Sequence, residues 1–295
     1  MQFFSFLVSF IPYEKIHPFS MFLGKILYKI LKKRTLIAYY NIEKILPNIP
    51  ENQKKELIIN SYASLIGNIL ELIKIEKFSK AELEKIFSVK GVEILDSVLS
   101  RGKGCILING HFGNWEIPVV LPLFLNKTIL TVGKKQKPEF FNNFLFKLRT
   151  NFGMKVIESK NSLMAIFKTL KKGGIVGFIM DQRTKKDSST LIDFFGEKIY
   201  CTTAPAYLAL KLNVPVLLCY SERVQGGKHI FHFDKEINLK QDGEKFEKLV
   251  HENTQKIHDE IAKLILEKPE NWFWLHAKFK SKRKTLLEFK NFSGI

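Results

Sequence analysis

The sequence predicts an α/β protein: a central, largely parallel sheet flanked by helices, with an N-terminal membrane-anchoring helical segment ahead of it. Three observations predict this. Short apolar runs alternate with helix-like stretches between residues 104 and 220, the pattern of parallel strands buried on both faces. Residues 36–100 carry helical rather than strand periodicity. The first 35 residues mix phenylalanine with lysine, as segments lying on a membrane surface do.

The N-terminal segment comes first. It holds Lys15, Lys25, Lys29, Lys32, Lys33 and Arg34 among Phe3, Phe4, Phe6, Phe19, Phe22, Ile26, Leu27 and Ile30. The apolar run from Phe3 to Ile11 falls well short of the ~20 residues that a spanning helix needs. Pro12, Glu14 and Lys15 then interrupt it, which favours a monotopic anchor over a span. No charged segment precedes the run and no small-residue cleavage site follows it, which argues against a signal peptide. The basic flank argues that the body of the protein stays in the cytoplasm. Residues 276–290 repeat the theme, with Lys278, Lys280, Lys282, Arg283, Lys284 and Lys290 around Phe279, Leu286, Leu287 and Phe289.

Helices are expected over Leu36 to Ile45, Lys54 to Ile75 and Lys80 to Phe87. In the second of these Leu57, Ile58, Tyr62, Leu65, Ile66, Ile69, Leu70 and Ile73 recur near helical spacing. Strands are expected at Gly104 to Asn109, Thr128 to Val132, Lys155 to Ile157, Gly174 to Met180 and Val214 to Tyr220. The intervening helices fall at Pro138 to Arg149, Ser162 to Lys172 and Ala204 to Lys211, with a long closing helix over 243–267. No internal repeat or low-complexity linker appears. The organisation expected is an anchor over 1–35, a helical part over 36–100 and one α/β catalytic domain over 101–295.

Composition narrows the function classes. With 295 residues and 45% hydrophobic content the chain can bury a sizeable core, which excludes a disordered protein. Lys plus Arg at 47 against Asp plus Glu at 29 gives +18, so the partners expected are anionic: nucleic acid, a membrane surface or an acidic carrier protein. Charge alone does not choose among them. Cys105, Cys201 and Cys219 are far apart and odd in number, without metal or disulfide spacing. His17, His229, His232, His251, His258 and His276 also lack metal spacing, and His251 and His258 are expected on a helix surface. No nucleotide-type phosphate loop is present, so neither a cofactor nor a metal is expected.

The chemistry is expected in the run His111-Phe-Gly-Asn-Trp-Glu116. His111 follows an apolar strand, and parallel sheets open into ligand crevices at the carboxyl ends of their strands. On one continuous helix, residues five apart point about 140° away from each other, so His111 and Glu116 can meet only across a turn. Gly110 and Gly113 allow that turn, Asn114 suits a helix cap and Pro118 is tolerated in a first helical turn. Glu116 then reaches back to the imidazole, which accepts a proton from an attacking hydroxyl as general base. Spacing alone reads equally as a histidine capping a helix and a glutamate complementing its dipole.

Further motifs lie in order along the chain: Asn109-Gly before His111, Arg149 ahead of Phe152-Gly153, Met180-Asp181-Gln182-Arg183, Phe194-Phe195-Gly196, Thr203-Ala-Pro-Ala and Pro269-Glu-Asn-Trp272-Phe-Trp274-Leu-His276. Together with the N-terminal anchor this set resembles the lysophospholipid acyltransferase superfamily, and within it the late acyltransferases, lauroyl or myristoyl, of lipid A biosynthesis. The resemblance covers most of the chain. It implies transfer of a fatty acyl chain from acyl carrier protein to a hydroxyl of a lipid A precursor at the cytoplasmic face of the inner membrane. It also implies that His111 is the base, Glu116 its partner and Arg149 the cation facing the thioester oxyanion. By charge and position alone Arg149 reads also as a solvated helix residue beside Lys147.

Asn114, Asp181, Gln182, Arg183, Phe195, Gly196 and Thr203 are the expected substrate-binding residues. Asp181 reads equally as a cap for its loop, and Phe194-Phe195-Gly196 as a buried core turn rather than a surface for acyl chains. Trp272 and Trp274 suit an interfacial belt or a packed terminus. The family often follows the Trp-x-Trp-x-His run with two basic residues; here it is Ala277-Lys278, so one position departs. The partners implied are acyl carrier protein, a lipid A precursor and anionic inner-membrane lipids. An alternative acceptor is another glycolipid or a glycerophospholipid. A nucleic-acid-binding reading is opposed by the interleaving of basic and apolar residues and by the lack of a binding motif.

Overall fold

The computed structural model describes residues 2–279 apart from 134–136, 159–161, 187–188 and 244. Most of the basic C-terminal run, from residue 280 onward, lies outside the described residues.

Nine strands are described. Seven form one sheet: β1 (Phe87–Lys90), β2 (Cys105–Asn109), β3 (Ile129–Gly133), β4 (Lys155–Glu158), β5 (Ile175–Ile179), β8 (Val216–Arg223) and β9 (His229–Glu236). Their order is β1-β9-β8-β2-β5-β3-β4. From β8 to β4 every neighbour is parallel, and β9 pairs antiparallel to β8. The five expected strands are those of the run from β8 to β4, and β1 adds a parallel pair with β9 at the other edge. The remaining two, β6 (Ser189–Phe194) and β7 (Glu197–Thr202), form a separate antiparallel hairpin.

Strand β2 occupies the middle of the sheet and is buried at all five positions. Its side chains alternate between two cores, as the twofold period of a strand requires. Ile106 and Ile108 join one cluster with Val176, Val216 and Leu218. Cys105 and Leu107 join the other with Ile175, Leu217 and Cys219. The three cysteines are thus buried free thiols.

Helices cover both faces. They are α1 (Gln2–Ser9), α2 (Tyr13–Ile30), α3 (Lys32–Ile45), α4 (Glu51–Ile75), α5 (Lys80–Ile86), α6 (Val92–Leu99), α7 (Leu121–Leu125), α8 (Glu139–Asn151), α9 (Ser162–Lys171), α10 (Ala204–Leu212) and α11 (Phe246–Glu267). Among the described residues α4 is the one helix long and apolar enough to cross a bilayer, yet 61% of that stretch is buried inside the protein, as in a core helix. Helix α2 packs on it so closely that a Cβ at Gly24 would stand 2.8 Å from the Ile59 carbonyl oxygen. One face of α2 is buried through Ile16, Ser20 and Gly24, while Phe19, Phe22, Ile26 and Ile30 are exposed on the other.

Candidate active site

His111 leaves the carboxyl end of β2 beside the carboxyl end of β5, and Met180 N–H donates to Asn109 O (2.9 Å), so the two strand ends run out together. The turn after His111 is pinned residue by residue. The His111 N–H donates to Asp181 Oδ2 (3.0 Å) and its carbonyl accepts from Phe273 N–H (3.0 Å). Gly113 N–H donates to Asn271 O (2.7 Å) and its carbonyl accepts from Asn68 Nδ2 (3.2 Å). Gly113 itself has φ +52°, and a Cβ there would lie 2.7 Å from the Ser221 carbonyl oxygen, so both conformation and space call for glycine. The chain then enters a 3-10 turn, Ile117–Val120, before α7. Strand, tight turn and helix are therefore the observed order.

The imidazole finds a different carboxylate from the expected one. His111 Nδ1 lies 2.6 Å from Asp181 Oδ1, whereas the Glu116 carboxylate is taken by Arg149, whose Nη2 donates to Oε1 (2.8 Å) and Oε2 (2.6 Å). The reason is positional. Asp181 stands at the end of the adjacent strand, and Arg149, near the end of α8, draws Glu116 toward β3, where its Nη1 would lie 3.4 Å from a Cβ at Gly133. Trp115 packs edge-on against the His111 ring, with centroids 5.0 Å apart.

Asp181 is 2% exposed and accepts a third bond from Trp272 Nε1 (2.8 Å). Burial raises its carboxyl, but the His111 ring, the His111 N–H and Lys278 overcome this and hold it well below the usual carboxylate range. An ionised Asp181 only accepts, so Nδ1 of His111 is the donor in that contact, and the ring atom turned away from it is Nε2. Gln182 Nε2 lies 3.1 Å from that atom. The His111 side chain keeps 18% exposure, enough to meet a substrate.

Behind Asp181 sit residues whose expected roles change. Lys278, from the basic C-terminal run, is buried, donates to the Asp181 carbonyl oxygen and lies 4.0 Å over the Phe194 ring. Burial pushes its ammonium down to about 8, against the pull of Asp181. His258 is not a surface residue either. It is fully buried, with Nδ1 2.9 Å from Thr254 O and Nε2 3.1 Å from Met180 O, and burial lowers it to about 4. Trp272 and Trp274 form a packed terminus, edge to face at 4.7 Å and both buried.

The other expected substrate contacts are distributed unevenly. Asn114 is fully buried, and its amide is spent on protein: Nδ2 donates to Glu71 Oε2 (2.8 Å), while Oδ1 accepts from the N–H groups of Glu116 (3.1 Å) and Ile117 (3.2 Å). Arg183 is exposed and makes no hydrogen bond among the described residues. Phe195 and Gly196 are the two-residue turn of the β6–β7 hairpin, with φ +52° and +77°, and Phe195 packs edge-on against buried Phe194. Thr203 precedes α10 and shares no hydrogen bond with His111, Asp181 or Glu116 among the described residues.

Sequence reading missed the polar cluster under the turn: Asn68, Glu71, Arg223 and His229. A signal was present, because Glu71 interrupts the apolar stretch 69–73 in the middle of a helix. Chemically, the turn presents an imidazole oriented by a buried carboxylate, with the Glu116-bound Arg149 guanidinium on the same turn. No group of three or more His, Cys, Asp or Glu side chains suited to a metal occurs among the described residues.

Comparison with known proteins gives a consistent picture. The family model for bacterial lipid A biosynthesis acyltransferases matches residues 1–281. A lipid A biosynthesis lauroyltransferase of Escherichia coli K12 is 21% identical, over 94% of this chain and 89% of that protein. A lipid A biosynthesis acyltransferase of Haemophilus influenzae is 23% identical, over 92% and 84%. A phosphatidylinositol mannoside acyltransferase of Mycolicibacterium smegmatis is 23% identical, over 81% and 77%.

Proposed function

The chain belongs to the bacterial lipid A biosynthesis acyltransferase family, and from that premise we propose that it moves a fatty acyl chain from acyl carrier protein to a hydroxyl of a lipid A precursor. The observation that carries the mechanism is the pair of His111 and Asp181 at adjoining strand ends. His111 Nε2 takes the proton of the acceptor hydroxyl as its oxygen attacks the thioester carbonyl. The carbonyl becomes an oxyanion, which collapses and expels the carrier's thiolate. The imidazolium returns the proton to that thiolate. One ester forms, one thioester breaks, and no acyl-enzyme is required.

Asp181 keeps the imidazole in one tautomer and stabilises its charged form, while Arg149 faces the oxyanion. Its bonds to Glu116 use Nη2 alone, leaving further guanidinium donors. Glu116 serves to hold Arg149, which keeps it in the catalytic group in a different role from partner of the imidazole. Gln182 and Arg183, at the same crevice end, contact the acceptor.

Membrane association is supported by the segment from α1 to the start of α3, where Phe6, Phe10, Phe22 and Ile30 are more than half exposed and Lys25, Lys29, Lys32, Lys33 and Arg34 are exposed as well. That face suits shallow insertion at an anionic inner-membrane surface, cytoplasmic side, without a span. The phosphatidylinositol mannoside relative supports a second acceptor class, a mannosylated phospholipid.

The test is acyl transfer by purified protein from labelled acyl carrier protein to each acceptor. His111→Ala is expected to lower kcat on the order of 10 000-fold while vesicle binding stays intact, as loss of a general base does. A His111→Ala variant with wild-type kcat overturns the mechanism, and transfer to the mannosylated acceptor alone overturns the lipid A assignment.

A further inference from the structure

Beneath the turn that carries His111 and Glu116 lies a second polar cluster that the mechanism above does not use. Glu71, on α4, is 1% exposed. Its Oε1 accepts from Arg223 Nη1, and its Oε2 accepts from Asn114 Nδ2 (2.8 Å) with His229 Nε2 3.1 Å away. Arg223 Nη2 donates to Asn68 Oδ1 (2.8 Å), and Asn68 Nδ2 donates to the Gly113 carbonyl. Three elements distant in sequence, α4, β8 and β9, thus converge on residues 113 and 114.

The polarity of this cluster runs one way. Asn114 Oδ1 is committed to the N–H groups of Glu116 and Ile117, so Nδ2 must point at Glu71, and Glu71 must be an acceptor. A buried ion pair is weak support for stability, since apolar residues of equal volume often serve a core as well. An apolar residue at 71 cannot hold an amide. The arrangement therefore buys orientation rather than cohesion.

We propose that Glu71 is a positioning residue for acyl transfer. Neutralised by Arg223, it fixes the Asn114 amide, which fixes the backbone at Glu116 and Ile117. The spacing between the His111–Asp181 pair and the Glu116–Arg149 pair is set from below by this relay. The inference rests on the reading of His111 as general base.

Exchanging the two side chains tests it. In Asn114→Asp two carboxylates face each other, and in Glu71→Gln the amide sets a donor against either Asn114 or Arg223. Each single variant is expected to lose kcat on the order of 100-fold, with the carrier-protein KM unchanged, because a misplacement near 1 Å has that effect. In the double variant the glutamine oxygen accepts from Arg223 and its nitrogen donates to the introduced carboxylate, which still accepts from residues 116 and 117, while His229, with its ring proton moved to Nδ1, accepts at Nε2. The double variant is expected to recover to within about tenfold of wild type, the non-additivity of directly coupled residues.

Asn114→Ser keeps an acceptor for the backbone and drops the bond to Glu71 without burying a charge. It gives the same kcat loss where a charged single variant does not fold. All rates are taken per folded molecule, with melting followed by circular dichroism. Single variants that melt earlier but keep wild-type kcat overturn the proposal, as does a double variant no faster than either single. A fully active His111→Ala breaks the underlying reading instead, so the two failures are told apart.

Discussion

Arg149 and Glu116 meet above the motif turn with 19% and 22% of their side chains exposed, whereas Arg223 and Glu71 meet below it with 7% and 1%. The functional groups are the same, and the surroundings set what each pair can do. A half-open pair is held loosely enough for a ligand's charge to compete for the guanidinium. A sealed pair has no competitor, and removing one partner strands the other in a medium that cannot solvate it. The turn thus has an adaptable upper side and a fixed underside.

Asp181→Asn is expected to have the largest effect, because it strikes the upper side where the imidazole is oriented. An amide offers one acceptor oxygen in place of two, and kcat should fall on the order of 10 000-fold, as when a triad aspartate becomes asparagine. Steady-state transfer kinetics check this, and a loss under tenfold would shift the orienting role back to Glu116.

Next in size is the contrast between the two arginines. Arg223→Met should cost about 3–5 kcal/mol in urea denaturation, since Glu71 is left charged and buried. Arg149→Lys keeps a cation for Glu116 and leaves no buried charge unpaired, so it should cost less stability than Arg223→Met while still lowering kcat. Equal stability losses would erase the distinction between the two pairs.

The smallest effect is in pH. Burial raises the Glu71 carboxyl, but Arg223 and His229 overcome it and hold the group at about 2, below its ordinary 4.5. A depressed carboxyl stabilises the fold fully above its unfolded value, and that contribution fades as pH falls through the folded one. Denaturation between pH 5 and pH 2 should therefore show a steeper loss for the wild type than for Glu71→Gln.

Much of this arrangement was legible in the sequence, and its limits have physical causes. Strand β2 is an apolar run buried at every position in the middle of the sheet, and β5 beside it is apolar throughout, so both stand out by composition. The hairpin and β9 alternate polar with apolar residues, as in Thr190, Asp193 and Lys198, and such stretches read as loops. β1 has four residues, two of them Ser88 and Lys90. The need for a turn after His111 followed from helical geometry. The identity of its carboxylate did not, because Asp181 is 70 residues away and only strand order brings it near.

Helix α4 offers Ser61, Asn68 and Glu71 to Trp274 N–H, the Gly113 carbonyl and Asn114, while Asn271 closes the same turn from the far end of the chain. This bears on the order of synthesis. The motif leaves the ribosome after its α4 supports but well before Arg223 and Asn271. A nascent chain ending short of Asn271 carries the His111 motif without the carbonyl that receives Gly113 N–H. The turn acquires its full set of contacts only late in translation, once the chain has returned to the helix it made near its start.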